Sequence, residues 1–398
     1  MPRIENVRVW GTVGLSTVDL GEPGPAIDGA GLVLVPSLVD LACDPGFPGF
    51  PTRENLASLS AAARAGGFSD LVTSPATTPV VDTPEHLADM RRTGPGGVRR
   101  WPLGAITRGL AGRELAEVGL MTRQGVAGMS DGGHTIGDTV VLRNALEYAA
   151  ACGVRLYLRP ADASLDQLGQ VHESPIAARI GIRGNPASTE EIGLARVLAL
   201  VRATGCAVHL QPISSARGVA MVRAARAEGL PITAAVAARS LVLDEGALES
   251  GNYDTRFRLH PPLRSAEDRL ALIAGVREGV LLVTADHQPR APEEKELEFE
   301  RAVPGSTGLE SAFGAALTAL EDLDLVVAAL CLGPRRLLPE RPSGWTLVDP
   351  NATSTVDPAS HRSMARNDAL AGMVLRGVVR GCFPAASLPV DAVLGGPT

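Results

Sequence analysis

Few residues in this 398-residue chain have the chemistry to hold a metal ion or move a proton, and they are scattered. Asp286 and His287 stand together in TADHQPR, Asp131 and His134 lie close in MSDGGHT, and His209 sits alone in VHLQPI. Carboxylates and imidazoles are the donors of a metal site that makes a hydroxide nucleophile. These five residues therefore define one candidate hydrolytic centre, provided that the fold brings them together. Read singly, His134 is a loop residue and His209 a hydrogen-bonded core histidine.

The remaining reactive groups point elsewhere. Cys43, Cys152, Cys206, Cys331 and Cys382 are odd in number and form no CxxC pair, which fits reduced thiols in a cytoplasmic protein. Cys152 and Cys206 lie in apolar surroundings and read as packing residues. Lys295 is the only lysine among 37 Lys and Arg residues, so the positive charge is almost all guanidinium. That group carries no lone pair for a metal.

Composition narrows the functional classes. A net charge of −7 opposes binding to nucleic acid or to an anionic membrane surface. With aromatics at 3% and hydrophobic residues at 45%, the core is expected to be aliphatic. The N-terminal stretch lacks the basic start and apolar run of a signal peptide, and no apolar stretch approaches a spanning helix of ~20 residues.

The elements that must position the candidate residues can be read from hydrophobic patterning. Eight apolar runs are bounded by turn signals: 31–42, 68–75, 99–107, 125–131, 154–162, 206–213, 230–237 and 279–287. Such near-continuous runs belong to parallel strands covered on both faces. Helical stretches alternate with them, among them ENLASLSAAARAG, TVVLRNALEYAAACG, STEEIGLARVLALVRATG and SARGVAMVRAARAEG. Several start at Ser or Thr and stop at Gly, and the last helix is expected over 308–323. The pattern predicts an α/β fold, a (β/α)8 barrel over 31–339. The segments 1–30 and 340–398 break the alternation and are expected to meet as a small β-sandwich.

Several long segments resemble the dihydroorotase family of the amidohydrolase superfamily. They are LVPSLVDLACDPGF, SPATTPVVDTPEHL, GAITRGLAGRELAEVGLM, MSDGGHTIGD, ALEYAAACGVRLYLRPAD, YDTRFRLHPPLRSAEDR and TADHQPRAPEEK, in the family's order across roughly residues 30–325. The resemblance implies an amidohydrolase-type barrel with metal ligands at the C-terminal ends of its strands. In active members, one or two zinc ions support closure and hydrolysis of the dihydroorotate ring.

The same resemblance implies that most ligand positions are degenerate here. Where the family has two histidines and a substrate-binding arginine after the first strand, the chain reads Asp40-Leu41-Ala42-Cys43-Asp44. Ala76 replaces a substrate-contacting Asn, Arg159 and Pro212 replace histidines of the fifth and sixth strands, and His260 replaces an Asn near the substrate. Arg290 replaces the second histidine of the eighth-strand motif. Lys295 lies in a loop after that strand, so no lysine is available for a carbamate bridge. Asp286, His287 and Asp131 are vestiges, and Arg159 or Arg290 is expected to pair with Asp131 or Asp286.

The leading reading is a catalytically inactive, metal-free and cofactor-free homologue that serves as a structural subunit of an aspartate transcarbamoylase complex. The alternative is an active zinc amidohydrolase with a rebuilt site using Asp131, His134, His209, Asp286 and His287. A third reading is a small-anion binder at Arg159 and Arg290.

Overall fold

A computed structural model describes residues 3–20, 25–90, 94–250, 252–340 and 344–384. The rest of the predicted terminal domain, including 385–398, lies outside the described residues.

The apolar runs become eight parallel barrel strands. They are Leu38–Cys43, Phe68–Thr73, Arg99–Pro102 continued by Gly104–Ala105, Met129–Ser130, Leu156–Leu158, Val208–Leu210, Ile232–Ala237 and Leu282–Thr284. Neighbours in sequence are neighbours in the sheet, from Leu38 paired with Phe68 to Ala235 paired with Leu282. Closure comes from a parallel bridge between Cys43 and His287, with the His287 amide donating to the Ala42 carbonyl at 3.0 Å. This is the TIM-barrel fold.

Alternation along each strand divides the core. Val39, Leu41, Val72, Leu103 and Tyr157 form a buried cluster inside the barrel. Leu38, Leu71, Leu156, Leu158 and Val283 join the larger layer beneath the surrounding helices. The interior is thus mainly aliphatic, with Tyr157 and the partly buried Trp101 as aromatic members, and the Tyr157 ring lies tilted 5.2 Å from that of His209.

The helices follow their caps, with two differences from the expected starts. Ser215 caps Ala216–Ala227 and Ser265 caps Ala266–Arg277, each through a side-chain oxygen that accepts a first-turn amide. Thr139 and Ser188 instead lie inside their helices; Asp138 caps the first, and the second follows Ala187 with no side-chain cap. Gly153 and Gly205 end these two helices at φ 68° and 65°, a conformation that glycine adopts without penalty. The helix expected over 308–323 is shorter, Ala312–Leu320.

Both chain ends build one satellite sheet. Its order is Val374–Phe383, Trp345–Thr355, Val33–Pro36, Arg3–Val9 and Leu15–Asp19, with Ile27–Asp28 paired to Arg3–Val9. Ile4, Val7, Val18, Leu34 and the fully buried Trp345 form its core. The run 31–42 therefore serves two sheets: Val33–Pro36 pairs with Trp345–Thr355, and Ser37 hands the chain to the first barrel strand. The Ser37 amide donates to the Gly344 carbonyl at 2.9 Å at this crossing point.

Candidate functional site

The C-terminal ends of the strands surround a cavity of about 710 Å³. Ala42 and Cys43 from the first strand, Ala76 after the second, and Pro212 after the sixth contribute to its wall. So do Arg159, His260 and Arg290, together with Asp131, His134 and Asp286. His209 and His287 are fully buried behind that wall.

Asp286 and Asp131 are engaged by neighbours other than those expected. Asp286, which follows the eighth strand at φ 47°, is 4% exposed and forms an ion pair with Arg239, itself 5% exposed. Arg239 stands just after the seventh strand, and its Nη1 also donates to the Asp286 carbonyl at 3.0 Å. Gln288 Nε2 donates to Asp286 Oδ1 at 2.8 Å. Asp131 accepts from the Ile106 and Thr107 amides at 2.9 Å each and from the Thr107 hydroxyl at 2.6 Å. It is thus a clasp between the third and fourth strands. Burial raises its pKa, and the hydrogen bonds from Thr107 only partly offset that.

The expected pairing of Arg159 or Arg290 with Asp131 or Asp286 does not occur. Arg159 pairs with Asp166 and donates through Nε to the Gly133 carbonyl at 2.8 Å. Asp166 also accepts from His260 Nε2 at 2.9 Å. Burial alone would raise the Asp166 pKa, but the bonds from His260 and Arg159 hold it well below the usual carboxylate range. Arg290 donates to Asp44 Oδ2 at 2.8 Å and to the Pro304 carbonyl at 2.9 Å. Each guanidinium pairs with a carboxylate beyond a strand end, Asp166 or Asp44, rather than with Asp131 or Asp286.

The buried histidines face structural neighbours rather than the cavity. In His209, Nδ1 accepts from the Thr233 hydroxyl at 2.8 Å, and Nε2 donates to Gln211 Oε1 at 2.9 Å. Gln211 in turn donates to the Leu41 carbonyl at 2.8 Å, so one chain of bonds crosses the barrel from the seventh strand to the first. Burial, aided by the Arg155 charge, lowers the His209 pKa to about 3 and keeps the ring neutral. His287 points away from the cavity, its Nε2 3.5 Å from buried Glu54. His134 is exposed on the rim.

A divalent zinc site needs three or four converging donors. Among the described residues no group of three or more His, Cys, Asp or Glu side chains could hold a metal ion. The Cys43 thiol is buried, and burial followed by the charges of Asp40, Asp44 and Glu54 pushes its pKa well up, so it stays protonated. The donor set does not fit the metal.

Arg239, Asp166 and Glu54 did not stand out in the sequence. Arg239 had a signal, since it follows the seventh apolar run by two positions, where this fold places functional side chains. Asp166 and Glu54 had none, because one lies in the short 3-10 turn Leu165–Gln167 and the other in a loop, and each meets its partner through space.

The eight-stranded barrel with a satellite sheet built from N- and C-terminal segments is shared with solved structures of a hydantoinase and a dihydropyrimidinase. L-hydantoinase (dihydropyrimidinase) from Arthrobacter aurescens superimposes with a TM-score of 0.83 over 97% of this chain and 95% of that one, at 20% identity. Dihydropyrimidinase from Brevibacillus agri gives 0.80 over 97% and 94%, at 18% identity.

Sequence narrows the class. A family model described as Dihydro-orotase-like matches residues 31–217. A dihydroorotase from Pelotomaculum thermopropionicum is 35% identical over 368 residues, covering 88% of this chain and 86% of that protein. A dihydroorotase-like protein from Pseudomonas aeruginosa is 36% identical over 371 residues, covering 89% and 86%. The chain belongs to the dihydroorotase family. Among the described residues no helix is long and apolar enough to cross a membrane.

Proposed function

We propose that this chain is a non-hydrolytic member of the dihydroorotase family, a cytoplasmic structural subunit that assembles with aspartate transcarbamoylase. The observation that carries the first half is the Arg239–Asp286 ion pair. Asp286 is the carboxylate that, by the family resemblance, would act as acid/base and metal ligand. A fixed guanidinium neutralises it and would repel a divalent ion. Without a metal the ring-opening water lacks its source of activation, a loss of several kcal/mol at the transition state. The barrel, its clasps and its satellite sheet persist around this mouth, which supports a role for the shape itself.

The partner rests on the resemblance alone. Mixing the chain with the transcarbamoylase catalytic subunit and resolving the mixture by size tests it. Co-elution as one large species is the expected result, and separate elution removes the partner.

A second reading is an active zinc dihydroorotase that interconverts carbamoyl aspartate and dihydroorotate. It is favoured by the relatives that carry the name dihydroorotase and by the open cavity of about 710 Å³. It requires Arg239 to leave Asp286 and Asp131 to leave Thr107.

A further inference from the structure

We infer that the Arg239 guanidinium stands in for a metal cation at the barrel mouth, neutralising Asp286 and fastening the end of the eighth strand to the end of the seventh. This deepens the reading of a metal-free mouth and rests on it.

A carboxylate as buried as Asp286 is costly unless a counter-charge and donors satisfy it. In a barrel that held a metal, the ion would be that counter-charge and would cross-link the strands whose ends ligate it. Here Arg239 makes the same kind of link from one side chain. It meets the Asp286 carboxylate with Nη2 and donates from Nη1 to the carbonyl of the same residue at 3.0 Å. A planar fork can engage both groups at once, whereas a lysine ammonium would be a single point charge. Gln288 binds the other carboxylate oxygen, so both oxygens are engaged.

Two further guanidinium bridges repeat the pattern around the rim. Arg290 with Asp44 joins the loop after the eighth strand to the loop after the first. Arg159 ties Asp166, beyond the fifth strand, to Gly133 and Thr135 beyond the fourth. His260, from the segment after the seventh strand, joins the same carboxylate. A guanidinium stays charged throughout the range in which a protein is folded, so the cationic side of these links depends neither on metal supply nor on its own protonation.

Thermal unfolding of the full chain tests this, with Arg239→Met, Asp286→Asn and the double variant compared in EDTA and in added zinc. The expected result is that neither EDTA nor zinc moves the wild-type Tm. Each single variant should lose about 5 °C or more, since each leaves one buried partner alone, and the double variant should regain most of that loss. If Arg239→Met does not fold, Arg239→Gln takes its place, and recovery of folding in Arg239→Met/Asp286→Asn counts as support. A Tm unchanged in Arg239→Met, or losses that simply add in the double variant, overturns the inference while leaving the metal-free reading intact. A wild-type Tm that falls in EDTA overturns the metal-free reading itself.

Discussion

His287 turns its imidazole away from the barrel mouth and sets Nε2 3.5 Å from the fully buried carboxylate of Glu54. The residue beside Asp286 thus belongs to the barrel's seam rather than to its cavity. Glu54 also accepts from the Ser363 hydroxyl at 2.5 Å and the Met364 amide at 3.1 Å, so one carboxylate joins three segments.

This cluster predicts a stability loss in Glu54→Gln, which keeps the shape but turns one acceptor into a donor facing another donor. The expected cost at pH 7 is about 1–3 kcal/mol, read from denaturant unfolding. Burial raises the Glu54 pKa, but the nearby His287 imidazole and the bond from the Ser363 hydroxyl carry it below its ordinary 4.5. A depressed carboxyl contributes stability above its unfolded pKa and loses it as pH falls through the folded value. The difference between wild type and Glu54→Gln should therefore shrink on acidification below pH 4.5. A difference that grows there would contradict the cluster.

Asp40 gives the opposite sign. It is fully buried in the first strand, accepts from the Thr284 hydroxyl and from the Ala285 amide at 2.8 Å, and leaves Oδ2 without a hydrogen-bond partner. Burial lifts its pKa from 3.8 to about 6, partly offset by the bond from Thr284. For a raised carboxyl, the stability is fully present below the unfolded pKa and is lost as pH rises through about 6. Asp40→Asn keeps the accepting oxygen and removes the ionisation. It should gain roughly 2 kcal/mol over wild type at pH 8 and almost nothing at pH 4, measured by urea unfolding at both values. An equal increment at both would show that Asp40 does not ionise in this way.

The two carboxylates also show where sequence reading stops. The eight strands were legible because apolar runs repeat between capped helices, and that periodicity survives in the barrel order. The division of the run 31–42 between two sheets was not, since Val33–Pro36 and Leu38–Cys43 belong to one mainly apolar run and only Ser37 separates them. The candidate site was legible as a set of strand-end positions: Ala42, Ala76, Arg159, Pro212, His260 and Arg290 line one cavity. Its connectivity was not. Arg159 and Arg290 take Asp166 and Asp44, which lie beyond strand ends, while Arg239 lies 47 positions from Asp286 in the chain. No periodic signal reports which distant loop residues meet.

Lys295 offers a prediction that uses its uniqueness. Its Nζ donates to the carbonyls of Thr255 at 2.8 Å, Val303 at 3.0 Å and Arg258 at 3.3 Å, stitching the loop after the eighth strand to residues 255–258. Lys295→Met would leave the Val303 carbonyl without this donor, while the Thr255 and Arg258 carbonyls keep the Arg258 and Gly305 amides; it should cost about 1–3 kcal/mol, with faster amide exchange concentrated in 255–258 and 296–305. In the wild type, an amine-reactive reagent should reach this ε-amine only as fast as the loop opens. Modification at the rate of a free lysine in the folded protein would show that the stitch is not closed.

The central claim is that the mouth of this dihydroorotase-family barrel is held by arginine–carboxylate pairs in place of a catalytic metal. The most direct measurement combines zinc content after gentle purification with turnover of carbamoyl aspartate on the same sample with zinc added. The expected result is no stoichiometric zinc and no turnover above the uncatalysed rate. Stoichiometric zinc together with ring closure to dihydroorotate would contradict it.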